Sequence, residues 1–155
     1  MAQVSDQQHF KQFVVEVKTM IRAAQYRALQ AVKRELIDLY WNLGRLITER
    51  QEQHGWGKSV VENLSKELQL EFPGESGYSA GNLWRMRNFY SIYHSSEILA
   101  PMAREIGWTH NYVIFEKCKD ALQREFYLRM TRKYGWTKAV LIHHIENQSY
   151  EKYLN

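Results

Sequence analysis

The sequence predicts an all-α protein: a multi-helix bundle containing a helix–turn–helix-like, winged-helix-related unit. Three observations carry that expectation. Strand-like alternation is almost absent, while apolar residues recur at three- and four-residue steps along most of the 155 residues. Only two prolines occur, Pro73 and Pro101, and both sit where helical patterns break. Ser79, Thr109 and Asp120 stand just before apolar-periodic runs, where side-chain oxygens cap free amides.

The first helix is expected from Asp6 to about Ala23, on Phe10, Phe13, Val14, Val17 and Ile21. The next runs roughly from Tyr26 to Gln53. Leu29, Val32, Leu36, Leu39, Tyr40, Leu43, Leu46 and Ile47 form its apolar stripe. No strong breaker separates Ala23 from Tyr26, so the two patterns can be one helix. Gly44 lies inside the stripe. An interior glycine costs about 1 kcal/mol relative to alanine, and close packing of a neighbouring helix would account for it.

His54-Gly55-Trp56-Gly57 ends that segment. Ser59 and Glu62 have capping-box spacing ahead of Val60, Val61, Leu64, Leu68 and Phe72, the expected buried side of a third helix. Residues 73–77 read as a turn, and Ser79 as the N-cap of a helix fading near His94. A short turn or helix leads to Pro101. Gly107-Trp108-Thr109 opens another helix, with Thr109 as cap and Val113, Ile114 and Cys118 inward. Asp120 and Gln123 repeat the capping-box spacing before Leu122, Phe126, Leu128 and Met130. Gly135-Trp136-Thr137 starts the last helix, with Val140, Leu141 and Ile145. Three of the five tryptophans thus follow a glycine directly before a helix start, where they are expected to pack corners. Together these elements read as one helical domain over 1–155. Residues 1–25 form an N-terminal helical arm and 57–94 the helix–turn–helix-like core.

Composition sets the outer bounds. With 45% hydrophobic and 25% charged residues, the chain can build a core. No apolar run is long enough to cross a bilayer, and no membrane partner is expected. Met1 to Phe10 lacks the apolar centre of a secretory signal. Cys118 is the only cysteine, which excludes an internal disulfide and a thiolate cluster. A reducing, cytoplasmic location is expected. The formal net charge of +4 mildly favours an anionic partner.

The stretch after Ser79 sharpens that preference. At about 100° per residue, Leu83, Met86, Tyr90 and Tyr93 gather on one side, with Phe89 at its edge. Gly81, Trp84, Arg85 and Asn88 fall opposite, and Asn82 and Arg87 flank the stripe. No acid occurs between Ser79 and Tyr93. Arginine can pair with guanine, asparagine with adenine, and either can grip phosphate. A preceding helix joined by a glycine-containing turn is the helix–turn–helix layout. Duplex DNA is therefore the expected partner, met by Asn82, Trp84, Arg85, Arg87 and Asn88. Lys58, Lys66 and Ser79 are the expected phosphate contacts.

Tyr40-Trp41-Asn42-Leu43-Gly44-Arg45-Leu46-Ile47, Gly55-Trp56-Gly57-Lys58 and Leu64-Ser65-Lys66-Glu67-Leu68 stand in order along the chain. They are followed by Ser79, Asn82-Leu83, Met86-Arg87, Phe89-Tyr90 and Ile106-Gly107-Trp108-Thr109-His110. With Arg124-Glu125-Phe126-Tyr127 and Gly135-Trp136-Thr137, this ordered set resembles the N-terminal domain of the YhcG-type family. The resemblance covers nearly all of the chain after about Met20. It implies a helical, helix–turn–helix-like domain that precedes a PDDEXK-like nuclease domain. It also implies that Ser79, Asn82 and Arg87, with Gly55, Trp56 and Lys58, carry the family's motif. Trp84 and Arg85 fall where the family pattern is basic or aromatic.

No catalytic constellation emerges. A PDDEXK site needs acids and a lysine converging from neighbouring strands around magnesium. Glu16-Val17-Lys18 has the letters but lies in an expected helix. His143 and His144 are adjacent, so on a helix they diverge instead of chelating. His110 reads as a packing or capping residue, and Cys118 as a small core residue. No catalysis of its own, no metal and no cofactor are expected. The alternative is a protein-interaction module in which the long helix over 26–53 pairs with its copy as a homodimer. Its opposite face carries the mixed charges Arg34, Glu35, Asp38, Arg45 and Arg50.

Overall fold

The computed structural model describes residues 2–155, with side chains from residue 5 onward. The first residue of the expected arm and the side chains of residues 2–4 lie outside that description. Eight helices account for the described chain, in the order α1 Ala2–His54, α2 Lys58–Glu71, α3 Ala80–Tyr93 and α4 Leu99–Ala103. Then come α5 Trp108–Lys117, α6 Ala121–Tyr134, α7 Lys138–Glu146 and α8 Ser149–Leu154. No strand forms among the described residues, so a winged-helix relative would lack its wing. The two apolar patterns before Gly55 belong to one helix, as the missing breaker allowed. The chain divides into two compact units, Met1–Glu35 and Leu36–Asn155.

Local signals set several helix ends. Ser79 accepts from the Asn82 amide at 3.1 Å, Asp120 from Gln123 at 3.3 Å and Thr137 from Val140 at 3.2 Å. Gly135 closes α6 in the left-handed conformation (φ 61°), with its amide on the Thr131 carbonyl. Two caps differ from expectation. Gly57 and Gly107 precede α2 and α5 without a side-chain bond, so Ser59 and Thr109 lie inside the first turns. Pro101 stands in the first turn of α4, where its missing N–H leaves no helical bond unmade.

Within Leu36–Asn155, α3 joins two apolar clusters. Phe89 and Tyr93 pack with Ile37, Trp41, Ile114, Phe115, Tyr127, Leu128 and Leu141. Leu83 and Met86 pack with Tyr40, Ile47 and Val61. Trp108 fills the corner it opens, 4.9 Å from the Tyr40 ring and 5.4 Å from Phe89. The covered face of α1 is Ile37, Tyr40, Trp41, Gly44 and Ile47, whereas Leu36, Leu39 and Leu46 stay exposed. The expected stripe merged two different faces, because this part of α1 is apolar on both. Leu122 and Phe72, expected inward, are also exposed, as is Val140.

Cys118 is fully buried, as its position suggested. Burial pushes its thiol up to about 11, against a modest opposing pull from Arg124. Burial likewise lifts the Tyr93 phenol well above its ordinary range. A raised folded-state pKa contributes stability that is intact below the unfolded value and lost as pH rises through the folded one. For Cys118 that window runs from the ordinary 9.0 to about 11. The urea midpoint should therefore fall between pH 8 and about pH 11, and a thiol reagent should reach Cys118 at pH 7 only after unfolding. An unchanged midpoint together with rapid labelling of the folded chain would contradict its burial.

Candidate nucleic-acid interface

The geometry begins at the turn between α2 and α3. Gly74 and Gly77 take positive φ (83° and 123°), which lets residues 72–79 reverse the chain. The Ser65 hydroxyl donates to the Tyr78 carbonyl at 2.7 Å and accepts from Gln69 Nε2 at 2.9 Å, tying the turn to α2. Asn82 ties it to α3: its Nδ2 donates to the Gly77 carbonyl at 2.7 Å. Its Oδ1 accepts from the Trp108 indole N–H at 3.0 Å. Both ends of the Asn82 amide are thereby engaged within the fold, and Ser79 serves as the cap. These two expected contacts build the turn.

The side of α3 away from the core is narrow. Only Gly81 and Asn88 are exposed, while Trp84, Arg85 and Arg87 are half-buried. Arg85 leans toward α5. Its Nε donates to Glu116 Oε1 at 2.5 Å, and its guanidinium lies 4.0 Å from the Tyr112 ring centroid. Its charge is therefore matched by the chain's own carboxylate. Arg87 points to the other flank, where its Nε donates to Gln51 Oε1 at 2.5 Å and its guanidinium stands 5.4 Å from the Trp84 ring. Gln51 is neutral, so this contact orients the Arg87 charge without cancelling it. On α2, Lys66 is exposed, and Lys58 lies 3.9 Å from Glu62 with most of its side chain in solvent.

The structure thus brings Trp84, Arg87 and Asn88 onto one strip, places Arg85 at its edge under Glu116, and sets Asn82 and Ser79 behind it. Sequence reasoning missed Glu116, Tyr112 and Gln51. They lie 31, 27 and 36 positions from their arginines, so no local signal could have paired them. An isolated helix–turn–helix leaves its second helix free to enter a groove. Here α3 is the central helix of its unit, and little beyond the strip is uncovered.

Other candidates resolve locally. The His110 Nε2 lies 2.7 Å from the Trp136 carbonyl, a packing contact between α5 and the α7 corner. His144 stacks on Trp136 with centroids 4.0 Å apart, while the His143 ring stands 6.0 Å away at 78°. Among the described residues, no three His, Cys, Asp or Glu side chains gather as a metal site. No described helix is long and apolar enough to cross a membrane.

Residues 16–152 match the family model of the DUF1016 N-terminal domain. The chain is also similar to the protein named "Putative nuclease YhcG" of Escherichia coli (strain K12), with 26% identity over 167 aligned positions. The alignment covers 87% of this chain and 44% of that protein, so the chain spans less than half the length of this curated relative. No solved structure matches the chain.

Proposed function

The chain belongs to the family of the DUF1016 N-terminal domain, and from that premise we propose that it is a duplex-DNA-binding targeting module. In this reading it performs no chemistry itself and brings a nuclease domain or partner to its substrate. The observation that carries it is Arg87. Its guanidinium is half-exposed and oriented by a neutral amide, beside a half-buried indole and an exposed asparagine, on a strip of α3 without an acid. Trp84 and Asn88 complete the contact, and Lys58 and Lys66 extend the cationic surface along α2. Arg85 is a reserve charge, available only when Glu116 is displaced or neutralised.

Binding of a fluorescent duplex, followed by anisotropy from low to high salt, tests this. Phosphate contacts release counterions, so affinity should fall steeply with salt. Arg87→Ala should reduce the logarithmic salt slope by about 1 and weaken binding at equal helicity. Glu116→Gln should strengthen binding, because it unmasks Arg85. No salt-dependent binding by the parent chain, or an Arg87→Ala chain that binds like it, would remove the reading.

A further inference from the structure

We propose that the α1 segment within Met1–Glu35 pairs in antiparallel fashion with the same segment of a second copy of this chain. None of the side chains of residues 5–35 is buried. Yet Phe10 is 64% exposed, Phe13 58%, Met20 70%, Ile21 51% and Val32 65%. At about 100° per residue these five fall, with Val17, into one arc roughly 120° wide. Every residue in that arc from Phe10 to Val32 is apolar, the remainder being Val14, Ala24, Ala28 and Ala31. Protein helices draw most of their stability from packing an apolar face, and an exposed apolar stripe of this extent marks a surface that is normally covered.

Three features of the segment point to a second copy as the cover. The first is area. The large side chains of the arc expose about 600 Å² per helix before the alanines are counted, close to the roughly 800 Å² per partner of a stable complex. The second is size. Bulky residues occupy the N-terminal half of the arc, while Ala24, Ala28 and Ala31 make up most of the C-terminal half, which ends on Val32. Antiparallel pairing sets Ile21 over Ala24, Val17 over Ala28 and Val14 over Ala31 of the second copy. Parallel pairing would set bulk against bulk and leave a gap along the alanines. The third is charge. Glu16 and Arg27 lie on the same margin of the arc, in opposite halves. In an antiparallel pair that margin meets its own copy, and each Glu16 comes beside the Arg27 of the other chain.

Light scattering after size exclusion, with the full 155-residue chain, should report a dimer at micromolar concentration. Ile21→Glu should raise the dimer dissociation constant by about 100-fold or more, since it places a charge in the middle of the seam. Its urea midpoint, measured on the monomer, should match the parent, because position 21 belongs to no core. Under mild oxidation Ala24→Cys, close to the two-fold axis, should cross-link to itself, and Phe10→Cys should not. Cys118 is buried and stays out of that reaction. A parent chain that stays monomeric at roughly 100 μM would overturn the proposal and assign the stripe to another occupant. So would association unaffected by Ile21→Glu, or cross-linking through Phe10→Cys in preference to Ala24→Cys.

Discussion

Gly44→Ala should destabilise the Leu36–Asn155 unit by about 3 kcal/mol or more, at the upper end of what overpacking produces. A Cβ built on Gly44 lies 2.7 Å from the carbonyl carbon of Met86, closer still to its oxygen, and 3.1 Å from the Tyr90 Cβ. The obstacle is the α3 backbone, which cannot rotate away as a flexible side chain would. Relief requires α1 and α3 to separate. That loosens Trp41 from Phe89 and Tyr90, whose rings now sit 5.2 and 5.3 Å from it. It also opens the cluster around Tyr40, Leu83 and Met86. The substitution gains about 1 kcal/mol of helix propensity, too little to reverse the sign. A urea titration followed by circular dichroism reads the difference. A midpoint equal to or above the parent's would mean that the helices do not meet at Gly44.

Gly44 also shows what could be read from the sequence. A glycine in the middle of a long helical pattern has a local cost, so its close-packing role was visible in advance. The same holds for Ser79 and Asp120, whose capping depends on residues three positions away, and for Cys118 on an apolar face. The ordered aromatic and glycine motifs carried the family, and the match over residues 16–152 agrees with them. Information about which face turns inward was weaker. Between Leu36 and Ile47 the helix is apolar on both sides, and periodicity alone cannot choose between Leu39 and Tyr40. The state of the candidate interface was weaker still. Arg85 looks outward on a helical wheel, yet Glu116 arrives from α5 to meet it. Asn82 has the chemistry to read a base, but the Gly77 carbonyl and the Trp108 indole claim it first. Side-chain type and spacing are local, whereas occupancy by a distant partner is a property of the fold.

Asn111 is the residue that such reasoning could have found, because it shares a helical face with Ile114, Phe115 and Cys118 and is the one polar group among them. Asn111→Asp should cost at least about 3 kcal/mol at neutral pH, although it changes a single NH₂ to oxygen. The side chain is fully buried. Its Nδ2 donates to the carbonyls of Ala103 at 2.7 Å, Gly107 at 3.1 Å and Ile106 at 3.3 Å, binding the α4–α5 connection to α5. An aspartate there would turn a negative oxygen toward three carbonyl oxygens, without water to screen them. Its neutral acid form still supplies one O–H, enough for one of the three carbonyls. Folding would therefore hold the proton, raising the folded-state pKa above the ordinary value of about 3.9. By linkage, the variant should come nearest the parent below about pH 4 and lose stability as pH rises through the raised folded value. The parent has no titrating group at that position, so the gap between the two midpoints should widen from pH 4 to pH 7. A gap independent of pH would mean that the loss comes from packing alone. It would also mean that Asn111 does not hold the three carbonyls as a donor.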